Sequence, residues 1–153
     1  MCPDITENKT PLLSFGKSLT EAEARMYSPL TLAFLGDAVY SLLIREMLTK
    51  CENKPTGKLH RESIAYVNAA FQAKMMKILL PLLDENETGV FKRGRNAHSA
   101  HSPKNQSEAD YRYATGFESL FGYLYLCGNF ERITQIFNVI SAEITKSAAE
   151  NDK

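Results

Sequence analysis

At 153 residues, with 44% apolar and 24% charged side chains, the chain has the size and composition of one globular domain able to bury a substantial core. Lys plus Arg and Asp plus Glu number 18 each, so net charge selects no class of partner and only a local cluster can. The three cysteines, Cys2, Cys51 and Cys127, lack CxxC spacing, which argues against a zinc ribbon or a disulfide framework and reads as free thiols in a reducing compartment.

Residues 1–19, with Pro3 and Pro11, are expected to form a partly flexible lead-in. No basic region followed by an apolar stretch opens the chain, and no run approaches the ~20 apolar residues of a membrane span. A cytoplasmic protein without membrane contact is expected. Ser18 with Glu21 three residues later forms a capping-box pattern, predicting a short helix to about Tyr27. Ser28-Pro29 starts the next helix, which runs to about Leu48 and is apolar on more than one face, as a central buried helix would be. The break Lys54 to Gly57 precedes one long helix from Lys58 to Leu80, closed by Pro81, with Leu59, Ile64, Val67, Ala70, Phe71, Met75 and Ile78 on its inner face.

After the acidic turn Asp84 to Glu87, a shorter helix is expected from Thr88 to about Ala97. The polar stretch His98 to Gln106, with Pro103, has no periodicity and reads as a loop. Ser107 and Asp110 start a helix that runs towards Leu126, and Gly128 breaks it. A last amphipathic helix carries Phe130, Ile133, Ile136, Phe137, Ile140 and Ile144. No alternating strand pattern occurs, so the fold class is all-α: a lead-in at 1–19, a folded unit at 20–147 and a frayed end at 148–153.

Two carboxylates stand out. Asp37 lies within the apolar run Leu30 to Ile44, directly after Gly36, and Glu118 lies within Phe117 to Leu126. A carboxylate removed from water costs several kcal/mol or more unless something pairs with it. Each is therefore either a helix-edge acid paired with Lys or Arg, or a ligand placed to meet a cation. Two such acids on two apolar helices point to one site for a hard divalent cation.

Between Lys92 and Gln106 stand four cations, Lys92, Arg93, Arg95 and Lys104, with no acid among them. Asn96, Ser99 and Asn105 add hydrogen-bonding groups. The composition suits a phosphate backbone; a solvated basic loop is the plainer alternative. His98 and His101 have no Glu or Cys at ligand spacing and read as loop residues near the nucleic acid, and His60 reads as a packing histidine. No Glu-x-x-His occurs, against a carboxylate-bridged di-metal bundle.

The stretch Leu32-Ala-Phe-Leu-Gly-Asp-Ala-Val-Tyr40 resembles the signature helix of the ribonuclease III family, double-strand-specific RNA endonucleases, and Phe117 to Leu126 resembles that family's second acidic motif. Lys92 to Ser99, Pro103-Lys-Asn105 and Tyr111-Arg-Tyr-Ala-Thr-Gly-Phe-Glu118 are closer to one branch, the Mini-ribonuclease III proteins. The resemblance spans roughly residues 28 to 140. The larger enzymes carry a carboxylate four residues before the signature Asp and another three before the second-motif Glu. Here Ala33 and Thr115 occupy those positions, a thinning the branch shares, which leaves more of a metal shell to water and phosphate.

The resemblance implies a ribonuclease III-like helical bundle in which Asp37 and Glu118 hold Mg²⁺, and in which a water cuts double-stranded RNA to leave a 5′-phosphate and a 3′-hydroxyl. It implies a two-fold homodimer with one site per strand, and a ribosomal RNA precursor, of the large subunit, as substrate. Lys92, Arg93, Arg95, Asn96, Lys104, Asn105 and Arg112 are the expected RNA contacts. The competing class is a non-catalytic RNA-binding or ribosome-associated scaffold of the same fold, which has no reason to keep the two acids. A purely structural helical dimer leaves the acid-free basic segment without a purpose.

Overall fold

The computed structural model describes residues 15–97, 104 and 107–151. Among them the chain forms seven α-helices and no strand, which bears out the all-α expectation. They are α1 (Glu21–Arg25), α2 (Pro29–Cys51), α3 (Thr56–Val67), α4 (Ala69–Leu79), α5 (Glu85–Asn96), α6 (Glu108–Leu126) and α7 (Phe130–Asn151), with a one-turn 3-10 helix at Leu80–Leu82 between α4 and α5. None of the described helices is long and apolar enough to cross a membrane.

Ser28 before Pro29 and Ser107 start α2 and α6 as expected, while other helix boundaries differ from those expected. The α1 capping box uses Thr20 and Glu23, not Ser18 and Glu21: Glu23 N donates to Thr20 Oγ1 (3.2 Å) and Thr20 N to Glu23 Oε2 (2.8 Å). Leu19 N donates to Leu126 O (2.8 Å), which holds this strip against the end of α6 and delays the helix start. The single helix expected from Lys58 to Leu80 is split at Asn68. Asn68 Oδ1 accepts from Phe71 N (2.9 Å) as the α4 N-cap, and its Nδ2 donates to Ile64 O and Ala65 O (3.0 Å each), closing α3. The split turns Ile64 and Ala70 outward, off the inner face assigned to them. The acidic turn before α5 is its first turn, capped by Asp84 and Glu87.

The central helix is α6, which packs against α1, α2, α4, α5 and α7 and buries ten residues. The expectation that α2 is the mostly buried helix is corrected. One side of α2 enters the core through Leu32, Val39, Tyr40, Ile44 and Met47, while Leu30, Phe34 and Leu42 face outward at 38%, 84% and 53% exposure. Tyr40 sits edge-on to Phe117 (centroids 4.8 Å apart) and near Phe121 (5.5 Å), so the core is an aromatic cluster shared by α2 and α6.

One buried ion pair closes the far side of the bundle. Glu87, 3% exposed, accepts from Arg132 Nε (2.7 Å) and Nη2 (2.9 Å), and Arg132 also donates to Leu82 O (2.7 Å). The pair joins α5, α7 and the 3-10 turn. Cys127 is a free thiol as expected, whereas Cys51 is disulfide-bonded, which corrects the expectation of free thiols. Residues 1–14 of the expected lead-in, Cys2 included, lie outside the described residues.

Candidate active site

The site begins with two glycines. A Cβ on Gly36 would fall onto the backbone carbonyl of Glu118, and a Cβ on Gly122 would fall onto that of Leu32. α2 and α6 therefore cross in backbone contact, each presenting its glycine to the other's main chain. No residue with a side chain fits at either position without moving a helix apart. At such a crossing the neighbouring side chains are pushed to its rim. Asp37 follows Gly36 and Glu118 lies one turn before Gly122, so both acids emerge on the same rim.

They line one open crevice of about 450 Å³, together with Ala33, Phe34, Tyr111 and Thr115. Asp37 is exposed and Glu118 half-buried. The two carboxyl groups are close enough to share a hydrogen bond. Glu118 is pushed up to about 7, first by burial and then by the negative charge of Asp37, and a hydrogen bond from the Gln72 side chain opposes the rise. Thr115 Oγ1 donates to Tyr111 O (3.0 Å) and is thereby turned along its own helix.

Sequence reasoning passed over Gln72, whose buried side-chain amide donates to Val67 O (3.3 Å). It belongs to α4 and is 1% exposed. The signal for it was thin: one amide in an otherwise apolar turn between Phe71 and Ala73.

The basic residues do not form one uncommitted cluster. The last turn of α5 is seated on α6, because a Cβ on Gly94 would collide with Ser119 and Gly116. Arg93 Nη1 donates to Arg25 O (2.6 Å) and so closes the end of α1. Arg95 Nε donates to Asn96 Oδ1 (3.2 Å), and its guanidinium lies 5.6 Å from the centre of the Phe91 ring. Arg112 pairs with Glu108 one turn earlier (2.7 Å). Lys92, Asn96 and Lys104 are exposed. Asn105, His98 and His101 lie outside the described residues. His60 is exposed, not packed, and borders a shallow crevice between α2 and α3 with Arg45 and Thr49. No group of three or more His, Cys, Asp or Glu able to hold a metal occurs among the described residues.

A family model described as Ribonuclease III domain matches residues 30–129, which takes in both acids, the glycine crossing and the whole of α5. The chain belongs to the ribonuclease III family. Within it, the chain falls in the Mini-ribonuclease III branch. It is 48% identical over 121 residues to Mini-ribonuclease 3 of Thermoanaerobacter sp. (strain X514), covering 79% of this chain and 85% of that one. It is 49% identical over 115 residues to the Brevibacillus brevis protein of the same name (74% and 85% covered). With that of Thermosynechococcus vestitus it shares 40% over 144 residues (92% and 93% covered). A crystal structure of a Fusobacterium nucleatum protein, 32% identical, superposes with a TM-score of 0.72 over 79% of this chain and 97% of that one.

The electrostatics give a test. Folding raises the proton affinity of Glu118, so the folded, metal-free protein keeps a proton that the unfolded chain has already lost. Ionising it therefore lowers stability as pH rises from 4.5 to about 7, and the loss is complete above that. Glu118→Gln mimics the protonated acid at every pH. In chelator, its melting temperature should match the wild type near pH 4.5 and exceed it by a growing margin up to about pH 7. A margin that does not change with pH would show that burial and Asp37 do not press on Glu118.

Proposed function

We propose that the protein is a Mg²⁺-dependent endoribonuclease that cleaves double-stranded RNA as a homodimer. The observation that carries this reading is the convergence of Asp37 and Glu118 on one rim of the α2–α6 crossing. Two hard oxygen ligands this close repel each other, and a divalent cation between them relieves the repulsion. Mg²⁺ suits a site of one or two carboxylates that leaves its other positions to water and phosphate, and no third acid joins these two among the described residues. Bound there, Mg²⁺ supplies Lewis acidity, making water a stronger nucleophile and offsetting charge on the scissile phosphate.

The protein's own groups have separable tasks. Asp37, exposed at the rim, is the ligand that a cation and an RNA phosphate can approach from solvent. Glu118, deeper in the crevice and pushed up to about 7, would be the second ligand and would give up its proton to hold the cation at neutral pH. The proposed hydrolysis leaves a 5′-phosphate and a 3′-hydroxyl, a reading that family membership supports and that requires no covalent nucleophile from the chain.

The outward face of α2 supports the homodimer. Leu30, Phe34, Ala38 and Leu42 recur every four residues on one exposed stripe, and Phe34 is 84% exposed beside the crevice that holds Asp37. A two-fold pairing on this stripe is isologous and sets the two sites to opposite strands of a duplex. Lys92, Asn96 and Lys104, exposed, are the proposed phosphate contacts. Arg93, Arg95 and Arg112, which also serve internal partners, add positive potential, and Asn105 completes the proposed set. A duplex held this way is read by shape, phosphates and 2′-hydroxyls. The proposed cellular role is maturation of a precursor ribosomal RNA of the large subunit, in the cytoplasm; branch membership supports it.

The deciding experiment is cleavage of duplex RNA with and without Mg²⁺. Wild-type protein should cut only with the metal, and Asp37→Asn should lose cleavage by about two orders of magnitude or more while staying folded and binding the duplex. Full activity of Asp37→Asn would move the site elsewhere. Sedimentation at about micromolar concentration should give twice the mass of the chain, and Phe34→Asp should halve it by setting a charge into each copy's contact. A wild-type monomer that cuts both strands at full speed would remove the need for pairing. Binding of duplex by Asp37→Asn over a salt series tests the basic residues. Lys92→Ala with Lys104→Ala should flatten the slope by roughly one unit for each phosphate that is no longer neutralised. An unchanged slope would mean that another surface holds the duplex.

A further inference from the structure

We propose that the crevice between α2 and α3, lined by Arg45, Thr49, Thr56 and His60, binds a backbone phosphate of the RNA away from the cleavage site. The proposal rests on the duplex-RNA reading given above and adds a contact on a surface separate from α5.

The crevice has a volume of about 200 Å³. That is room for a phosphate group, and it falls below the ~300 Å³ at which pockets for whole small molecules begin. Arg45 and Thr49, one turn apart, line it from α2, and Thr56 and His60, one turn apart, line it from α3. Leu48 and Leu59, both packed on the core, complete the lining. Ser63 also borders the crevice, but its hydroxyl is committed to His60 O at 2.7 Å.

The charges around the crevice are unevenly matched. From Arg45 to Glu62 the chain carries five cations and three acids, although its net charge is zero. All three acids are answered by lysines. Glu46 pairs with Lys50, while Lys54 donates to both carboxylate oxygens of Glu62 (3.1 and 3.0 Å) and pairs with Glu52 (3.2 Å). The side chains of Arg45, His60 and Arg61 have no ion pair or hydrogen bond among the described residues. Arg61 lies back along α3, with Nη1 3.7 Å from where a Cβ on Gly57 would stand, beside Thr56. Positive charge is therefore left over at this end of α2 and α3.

The donor set selects the ligand. A tetrahedral phosphate takes hydrogen bonds from several directions, and here a guanidinium and a hydroxyl come from one wall, a hydroxyl and an imidazole from the other. No carboxylate lines the crevice, so it does not suit a cation. An apolar ligand would desolvate Arg45 without pairing it. The position favours a phosphate of the substrate. Arg45 follows Asp37 on α2, roughly 12 Å along the helix axis and less than about a quarter-turn around it. A duplex with its scissile phosphate at Asp37 has further phosphates within that reach, and the crevice holds one of them.

The test uses Asp37→Asn protein with uncut duplex RNA over a salt series, and inorganic phosphate as a second probe. Arg45→Met keeps much of the side-chain length without the charge. It should weaken duplex binding by about fivefold or more and flatten the salt slope by roughly one unit, with the melting temperature kept. Arg45→Lys should restore the slope and only part of the affinity, because the charge returns without the fork. Lys146→Met, at an exposed cation on α7, should change neither. The ring signal of His60 in nuclear magnetic resonance, identified through His60→Gln, should shift when duplex is added, and Arg45→Met should abolish that shift. Unchanged affinity and slope in Arg45→Met overturn the proposal. A loss in Lys146→Met equal to that in Arg45→Met also overturns it, since only net charge would then matter. If inorganic phosphate moves the His60 signal and duplex does not, the crevice takes a free anion and the RNA assignment is overturned. If protein with Arg45 intact binds no duplex at any salt concentration, the duplex-RNA reading itself fails, and the proposal with it.

Discussion

Everything near the candidate site follows from the absence of two side chains. Gly36 and Gly122 let the α2 and α6 backbones touch, and at both points a single Cβ would overlap a carbonyl of the other helix. Helices that meet through side chains stand 8–10 Å apart, roughly, and acids on their flanks would then diverge. Here the crossing is closer, and Asp37 and Glu118 come out side by side. The aromatic cluster of Tyr40, Phe117 and Phe121 fills the core beside the same crossing, so packing and chemistry depend on one contact.

The molecule shows two ways of managing a carboxylate out of water. Glu87 is almost fully buried and is answered twice by the Arg132 guanidinium and once by the Asp84 backbone N–H. That arrangement is complete and has no capacity for a ligand. Glu118 is less buried and faces a second acid, and burial and the Asp37 charge raise its affinity for protons. The contrast separates an acid with a full set of partners from one without a cationic partner among the described residues.

Much of this was legible in the chain. Asp37 and Glu118 stood out because carboxylates in apolar runs are rare, and Gly36 beside Asp37 hinted at a close approach. Helix type and number of breaks followed from periodicity, apart from the break at Asn68. The α1 boundary shifted where Ser18 and Thr20, both able to cap, stood two positions apart. Leu19 N, bonded to Leu126 O more than a hundred residues away, chose Thr20 over Ser18, and no local pattern contains that bond. The outward apolar stripe of α2 looked like core because hydrophobicity alone does not say which side faces solvent. Arg93 was indistinguishable from its neighbours until the fold placed the Arg25 carbonyl against it.

The stretch of α2 from Leu30 to Ile44 has no idle side. One face enters the core, one lies against the α6 backbone, one presents Asp37, and the last is the apolar stripe with Phe34. A helix so fully committed offers few neutral substitutions, and paired changes elsewhere would have to accompany almost any drift in it. The outer faces of α3 and α7 carry no such load and can absorb new charges or loops. Variation among descendants of this chain should therefore gather on those two helices, while α2 changes slowly as a block.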